Sequence, residues 1–89
     1  MKYTFRFTTA AQRQLRDISQ LDAMRILTAL TALGDDPYCE GVDVRKLTGV
    51  PGLYRLRVGN YRVAYQVKDG ELVILVVKVG NRRDVYRNL

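Results

Sequence analysis

The chain has 89 residues, of which 47% are hydrophobic, and a formal charge of +6 at pH 7. This length predicts one small domain spanning residues 1–89, and the hydrophobic fraction indicates a globular rather than a disordered chain. Because there is one cysteine and no histidine, we expect no internal disulfide, no metal site and no other cofactor. The longest apolar run, residues 72–77, is far shorter than the ~20 residues that cross a bilayer, so we expect a cytoplasmic protein.

The N-terminal residues predict a strand followed by a short helix. Residues 3–7 alternate aromatic and polar side chains, which is the period of a strand with one buried face. Thr9 and Gln12 have the spacing of a capping box, in which two side chains satisfy the free N–H groups at a helix start. We therefore expect a helix from Thr9 to about Ile18.

A second helix is predicted directly afterwards. Ser19 and Asp22 repeat the capping spacing, and Gly34 and Pro37 are residues that end helices. Apolar residues recur between them at helical spacing, which is typical of a face packed in the core, although a helix that docks a partner shows the same pattern. The face consists of Ala23, Ile26, Leu27, Leu30 and Leu33.

The second half of the chain changes to a period of two, which predicts strands at residues 52–58, 61–67 and 71–79. Residues 59–60 and 69–70 form two-residue loops, so the three strands are expected to be joined as antiparallel hairpins. The predicted order is β-α-α-β-β-β, an α+β fold. The first strand lies at one side of the antiparallel meander, the two-helix hairpin packs on one face of the sheet, and a short tail ends the chain.

The positive charge is concentrated in residues 44–68, which carry six basic side chains and no acidic one. Tyr54, Tyr61 and Tyr65 are interleaved with them. A local cationic surface with aromatic side chains is typical of proteins that bind nucleic acid, although such a surface also serves solubility or an acidic protein partner. The six basic residues are Arg45, Lys46, Arg55, Arg57, Arg62 and Lys68.

The predicted hairpin register places Arg57 directly opposite Arg62, with Arg55 on the same side of the sheet. We call the side that carries these three residues the arginine face. Like charges in direct opposition destabilise a sheet by up to about 1 kcal/mol. A bound phosphate would relieve this repulsion, which indicates a phosphate-binding surface. The alternative is that the three arginines are solvated on an open sheet and bind no ligand. The other side is expected to pack on the helices through Tyr54, Leu56, Val58, Tyr61, Val63 and Tyr65.

The last strand is predicted to lie beside Arg62. With a two-residue loop at 69–70, Arg62 is opposite Val77 and Ala64 is opposite Leu75, so one apolar side of this strand shares the arginine face. A strand that is apolar on both sides is usually covered on both, either by the C-terminal tail or by a partner protein. The apolar residues expected on the arginine face are Val73, Leu75, Val77 and Val79.

The tail supplies the remaining candidates for chemistry. Gly80 and Asn81 favour a turn that would bring Arg82 and Tyr86 toward the arginine face, unless Tyr86 is simply a packing aromatic. Without histidine the usual acid–base pair of a ribonuclease is missing. RNA cleavage would then require 2′-hydroxyl attack on the adjacent phosphate, with arginines stabilising the developing charge and Tyr86 accepting a proton or stacking on a base. Such a catalyst needs its substrate oriented by something else.

Three segments together resemble the RelE branch of the RelE/ParE toxin superfamily: KLTG at residues 46–49, LYRLRVGNYRVAY at 53–65 and VGNRRDVY at 79–86. The resemblance spans essentially the whole chain. It implies a toxin of a type II toxin–antitoxin system, a metal-independent mRNA interferase that cleaves mRNA in the ribosomal A site, on the small subunit. It also implies a RelB-like antitoxin as partner, binding of the toxin–antitoxin complex to operator DNA through the antitoxin, and no membrane contact.

The resemblance also assigns roles to residues. Arg62 matches the arginine that stabilises the scissile phosphate, Arg82 matches a second active-site arginine, and Tyr86 matches the tyrosine that stacks on or activates the cleaved nucleotide. Positions 55 and 57 are lysines in the best-known members, and since arginine does not readily lose its proton, the base is left to Tyr86. ParE-like inhibition of DNA gyrase, and an inactive toxin that only binds its antitoxin as a co-repressor, are the alternatives. The predicted RNA-binding residues are Arg45, Lys46, Arg55 and Arg57.

Overall fold

A computed structural model of the chain describes residues 2–37, 43–47 and 52–81, so Arg82 and Tyr86 lie outside the described ranges. The elements in chain order are β1 (Thr4–Phe7), α1 (Thr9–Asp17), α2 (Gln20–Asp35), β2 (Val44–Lys46), β3 (Leu53–Val58), β4 (Tyr61–Lys68) and β5 (Val73–Asn81). The α+β class is confirmed, and β2 is a short strand that the sequence pattern did not predict.

The five strands form one sheet in the order β1-β5-β4-β3-β2. β1 pairs with β5 in parallel, with Phe5 opposite Ile74, whereas the other neighbouring strands are antiparallel. The first strand therefore lies at one edge of the meander, as predicted, and β2 forms the other edge.

α1 begins at Thr9, as predicted, but the residue that caps it lies one position earlier than expected. Thr8, not Thr9, caps the helix, because its Oγ1 accepts a hydrogen bond from the Ala11 N–H at 3.1 Å. The same hydroxyl donates to the Val77 carbonyl at 2.7 Å, and the Thr8 N–H donates to the Val76 carbonyl at 3.0 Å. These contacts with β5 hold Thr8 at the helix start, and local spacing alone does not reveal them.

The start of α2 is confirmed and its end is corrected. The Ser19 Oγ accepts a hydrogen bond from the Asp22 N–H at 3.2 Å and donates to the Asp22 carboxylate at 2.9 Å. Gly34 does not end the helix, which continues to Asp35. One internal glycine costs a helix only about 1 kcal/mol, and here the Gly34 carbonyl accepts a hydrogen bond from the Tyr3 N–H at 2.7 Å.

The core lies between the helices and one side of the sheet. Ile26, Leu30 and Leu33 of α2 are buried as predicted, but Leu27 is 45% exposed and does not belong to the packed face. The side of the sheet predicted to meet the helices does so. Its fully packed residues are Leu56, Val63, Tyr65, Ile74, Val76 and Val79.

The β3–β4 register is confirmed at every pair, including Arg57 opposite Arg62. The predicted β4–β5 register is wrong, because residues 69–70 are not a two-residue loop. A short 3-10 turn covers Asp69–Glu71, and Leu72 follows in the left-handed conformation with a φ of 53°. These extra residues move the start of β5 to Val73.

A bulge in β5 then changes the register once more. Tyr65 lies opposite Val76, whereas Ala64 lies opposite Lys78, so Val77 has no partner in the β4–β5 register. One extra residue reverses the side of the sheet on which the following side chains lie. Val79 is therefore buried in the core at 1% exposure, and its predicted place on the arginine face is wrong.

The end of β5 also lies later than predicted. Gly80 is opposite Arg62, and Asn81 continues the same pairing with β4, so the turn expected at these two residues is wrong. Val73 and Leu75 do share the side of the arginine face, as predicted, where Val73 is buried and Leu75 is half-buried. The expected apolar strip is therefore shorter and less exposed than the sequence suggested.

Candidate nucleic-acid interface

Two rows of side chains cross the arginine face, which is turned away from the helices. In the first row Arg57 of β3 lies opposite Arg62 of β4, and Arg62 lies opposite Gly80 of β5. Asp43 completes this row just before β2 begins, because its carbonyl accepts a hydrogen bond from the Arg57 N–H at 2.9 Å. One acidic and two basic side chains thus share one line across three strands.

The second row contains a cation that the sequence analysis missed. Arg45 of β2 lies opposite Arg55, Arg55 lies opposite Ala64, and Ala64 lies opposite Lys78 of β5. Lys78 belongs to this face because the bulge at Val77 shifts β5 by one residue. The only signal in the sequence was an isolated lysine at the end of an apolar run, and without the bulge it could not be assigned to a side.

The predicted RNA-binding residues divide between the two sides of the sheet. Arg45, Arg55 and Arg57 lie on the arginine face, but Lys46 is opposite Tyr54 and therefore belongs to the side of the helices. Lys46 is exposed at the edge of the sheet. The structure brings the three arginines together with Arg62 and does not bring Lys46 to them.

Asp43 binds two of these arginines at once. Its Oδ1 lies 3.4 Å from Nη2 of Arg55, and its Oδ2 lies 3.5 Å from Nε of Arg57. The sequence analysis missed Asp43 because it comes one residue before the acid-free stretch, and its strand had not been predicted. The repulsion that we expected a bound anion to relieve is partly relieved by this carboxylate.

Arg62 is the most buried of the arginines on this face, at 8% exposure. Its Nη1 donates to the Gly59 carbonyl and to the Tyr61 carbonyl, each at 3.1 Å. Gly59 has a φ of 57°, which suits glycine in the tight β3–β4 turn. The turn therefore holds the guanidinium group of Arg62 in one place, which is the condition for a preorganised positive charge.

Arg55 and Arg57 differ in exposure. The Arg57 side chain is 56% exposed, whereas that of Arg55 is 15% exposed. Within the described part of the chain, the buried Nε of Arg55 has no hydrogen-bond partner. The arginine face therefore combines a fixed charge at Arg62, a mostly buried one at Arg55 and an accessible one at Arg57.

Two clefts lie on the helix side of the sheet, at the end where the β3–β4 turn is found. A cleft of about 490 Å³ includes Asp22, Arg25 and Asn60, and a neighbouring one of about 300 Å³ includes Gln14; Tyr61 and Asn81 line both. Partial burial raises the pKa of the Tyr61 hydroxyl, and the negative charge and hydrogen bond of Asp22 raise it further. Tyr61 therefore keeps its proton at neutral pH and does not qualify as a base.

Metal ions have no evident site in residues 2–37, 43–47 and 52–81, since no three histidine, cysteine or acidic side chains are grouped there to hold one. Within the same ranges, no helix is long and apolar enough to cross a membrane. The charged groups on the described arginine face are guanidinium, ammonium and carboxylate groups.

A family model described as "ParE toxin of type II toxin-antitoxin system, parDE" matches residues 5–86. The chain belongs to this family. Toxin RelG of Mycobacterium tuberculosis is 35% identical over 92 residues, which cover 98% of this chain and 99% of that protein. The mRNA interferase toxin RelE of Escherichia coli K12 is 30% identical over 90 residues, which cover 97% and 92% of the two chains.

Solved structures give the same placement. The toxin in the archaeal RelE–RelB complex from Pyrococcus horikoshii OT3 superposes with a TM-score of 0.80 at 31% identity, covering 94% of this chain and 99% of that one. The intact RelBE toxin–antitoxin complex of E. coli gives a TM-score of 0.76 at 30% identity, covering 89% and 95%. The chain is therefore a RelE-like toxin of a type II toxin–antitoxin system, as the resemblance predicted.

Proposed function

We propose that this toxin is a ribosome-dependent endoribonuclease that cleaves mRNA in the A site and so inhibits translation. The observation that carries the proposal is the arginine face, where Arg57 and Arg62 are held directly opposite each other and Arg55 lies in the adjacent row. Guanidinium groups gathered on one surface suit an RNA phosphate. A relative at 30% identity is named an mRNA interferase toxin, which supports the same chemistry here.

In the proposed reaction the 2′-hydroxyl attacks the adjacent phosphorus, and the bond from phosphorus to the 5′-oxygen breaks. Arg62, held by two backbone carbonyls, stabilises the negative charge that develops on the phosphate oxygens. We assign the same role to Arg82 and the role of proton acceptor or stacking partner to Tyr86. Arg82 directly follows Asn81, whose strand pairs with the end of β4 that carries Arg62.

We propose a role for the ribosome because the described face can stabilise negative charge but contains no good general base. Arginine stays protonated, and the raised pKa of Tyr61 keeps that hydroxyl protonated as well. Holding a substrate in a reactive geometry can supply much of the reduction in a barrier. We therefore assign the orientation of the RNA to the ribosomal A site, which places the toxin in the cytoplasm.

A RelB-like antitoxin is the proposed protein partner. Solved relatives are RelE–RelB complexes at 31% and 30% identity to this chain. The antitoxin is expected to neutralise the toxin and to carry the complex to operator DNA. Lys46 lies on the other side of the sheet from the arginines. We therefore assign it a contact with ribosomal RNA at the edge of the sheet and not a contact with the cleaved message.

The test is message cleavage in a translation extract, with the ends mapped by primer extension. Wild-type toxin should give codon-phased cuts that require ribosomes. Arg62→Ala should lower the cleavage rate by about 10²–10³-fold, the usual cost of one transition-state donor, and Tyr86→Phe should also lose most activity. Arg13→Ala, which removes an exposed arginine from α1, is the matched control and should cleave like wild type. Full activity of Arg62→Ala, or equal cutting of ribosome-free RNA, contradicts the proposal.

Gyrase inhibition is kept as the second candidate because the matching family model is described as a ParE toxin. The two functions differ in their target, so one pair of assays separates them. Accumulation of DNA cleavage complexes with purified gyrase, together with intact message in the extract, would favour the ParE-like function.

A further inference from the structure

Asp43 is the acidic side chain that contacts the arginine face in the described part of the chain. Its two carboxylate oxygens bind different arginines, Oδ1 at 3.4 Å from Arg55 and Oδ2 at 3.5 Å from Arg57. The Asp43 backbone is fixed to β3 by the hydrogen bond from the Arg57 N–H. Its side chain is 46% exposed, so the ion pairs lie at the surface, where RNA would approach.

The carboxylate has the chemistry of a small phosphate at this position. Both groups present negatively charged oxygens on one centre, and both are bound by guanidinium N–H groups in the same way. A phosphate placed between Arg55 and Arg57 would need the same donors that Asp43 now uses. The carboxylate and a phosphate therefore compete for these two arginines.

Building on the proposed function, we propose that Asp43 stands in for a substrate phosphate in the RNA-free toxin and is displaced when RNA binds. Without RNA, the carboxylate offsets the repulsion in the two pairs Arg45–Arg55 and Arg57–Arg62 and keeps the guanidinium groups in place. With RNA, a phosphate takes over both contacts, and the carboxylate moves into solvent. Binding is thus an exchange of anions, so the toxin alone binds free RNA more weakly than its charge predicts.

The exchange is feasible because the ion pairs are weak. Exposed pairs at such distances stabilise proteins by only a few-fold in equilibrium constant, which a phosphate can exceed. For the same reason the effect of removing Asp43 is bounded. Losing two such competing contacts should tighten RNA binding roughly three- to tenfold.

The test is binding of a short, single-stranded 2′-O-methyl RNA, which the toxin cannot cleave, measured by fluorescence anisotropy over a range of salt concentrations. Asp43→Asn should bind roughly three- to tenfold tighter than wild type. Its plot of log affinity against log salt should be steeper by about 0.7, the increment for one more neutralised phosphate on a single strand. Asp43→Glu, which keeps a carboxylate, should restore the wild-type affinity and slope.

Glu71→Gln is the matched control, since it raises the net charge of the protein by the same amount. Glu71 lies in the β4–β5 turn, beyond Lys68, which is roughly 20 Å along β4 from Arg62. Equal tightening by Glu71→Gln and Asp43→Asn would reduce the effect to net charge and overturn the inference. A lower melting temperature of Asp43→Asn with unchanged affinity and slope would leave Asp43 only a structural role, which also overturns it. Because this RNA is not cut, the result is independent of whether the toxin proves to be a nuclease.

Discussion

Replacing Arg57 with glutamine should change the stability of the toxin by an amount that depends on Asp43. In the wild type the substitution removes repulsion from Arg62, which is opposite and costs up to about 1 kcal/mol. It also removes the ion pair with Asp43, which at such exposure contributes about 0.2–1 kcal/mol. The two effects oppose each other, so the free energy of unfolding should change by less than about 1 kcal/mol.

In an Asp43→Asn background only the repulsion remains to be removed. The same Arg57→Gln substitution should then stabilise the protein by about 0.5–1 kcal/mol, or about 2–8 °C in melting temperature for a domain of this size. Thermal unfolding of the four proteins in this cycle, at low salt and in 1 M salt, measures the difference. The coupling should largely vanish in 1 M salt, where charges are screened over about 3 Å. Equal effects of Arg57→Gln in both backgrounds would refute the idea that Asp43 offsets the arginine pair.

Lys78→Ala should weaken binding of single-stranded RNA and make the salt dependence of binding shallower by about 0.7 in slope. Lys46→Ala, on the other side of the sheet, should change the affinity and the slope less. A larger effect of Lys46→Ala would contradict the placement of Lys78 on the arginine face. The hydrogen bond from the Tyr3 hydroxyl to Asp69 Oδ1, at 2.6 Å, raises the pKa of Tyr3 above its usual value near 10. Its stabilising effect should therefore be complete below about pH 10 and lost as the pH rises through the pKa of the folded state. Tyr3→Phe should lower the melting temperature at pH 7 by about 4–8 °C and flatten the alkaline decline, and an unchanged decline would show that Tyr3 does not cause it.

The fold was predictable from sequence where a single local signal determines the geometry. Gly59 and Asn60 allow one short turn, and the alternation on both flanking strands agrees with the same register. Residues 69–70 give a similar signal, but Tyr3 takes the Asp69 carboxylate and Leu72 adopts a left-handed conformation. The Thr4 N–H also donates to the Leu72 carbonyl at 2.8 Å. These hydrogen bonds to β1 join residues far apart in the chain, so no local pattern reveals them. The three-residue strand β2 was missed because it is too short to show a period.

The candidate site, like the fold, was predictable only where the local sequence determines the geometry. Three arginines on one side of the sheet follow from the β3–β4 register alone. Asp43 and Lys78 do not, since one depends on the unpredicted β2 strand and the other on a bulge in β5. Both omissions concern charge, and both change the chemistry: the site gains a competing anion and a further cation. The sequence thus predicted the position of the arginine face better than it predicted which charges lie on it.

Displacement of Asp43 would affect the binding of free RNA more than the binding of RNA that the ribosome presents. When RNA is dilute, most toxin molecules have no RNA bound. A given fold-loss of affinity then lowers the fraction with RNA bound by the same factor. The same loss hardly changes the occupancy when the RNA is held beside the site at a high effective concentration. A three- to tenfold cost of exchanging Asp43 for a phosphate would therefore suppress binding to free message and leave binding in the A site almost unaffected. On this reasoning, Asp43→Asn should raise any residual cleavage of free RNA by a larger factor than it raises cleavage on the ribosome.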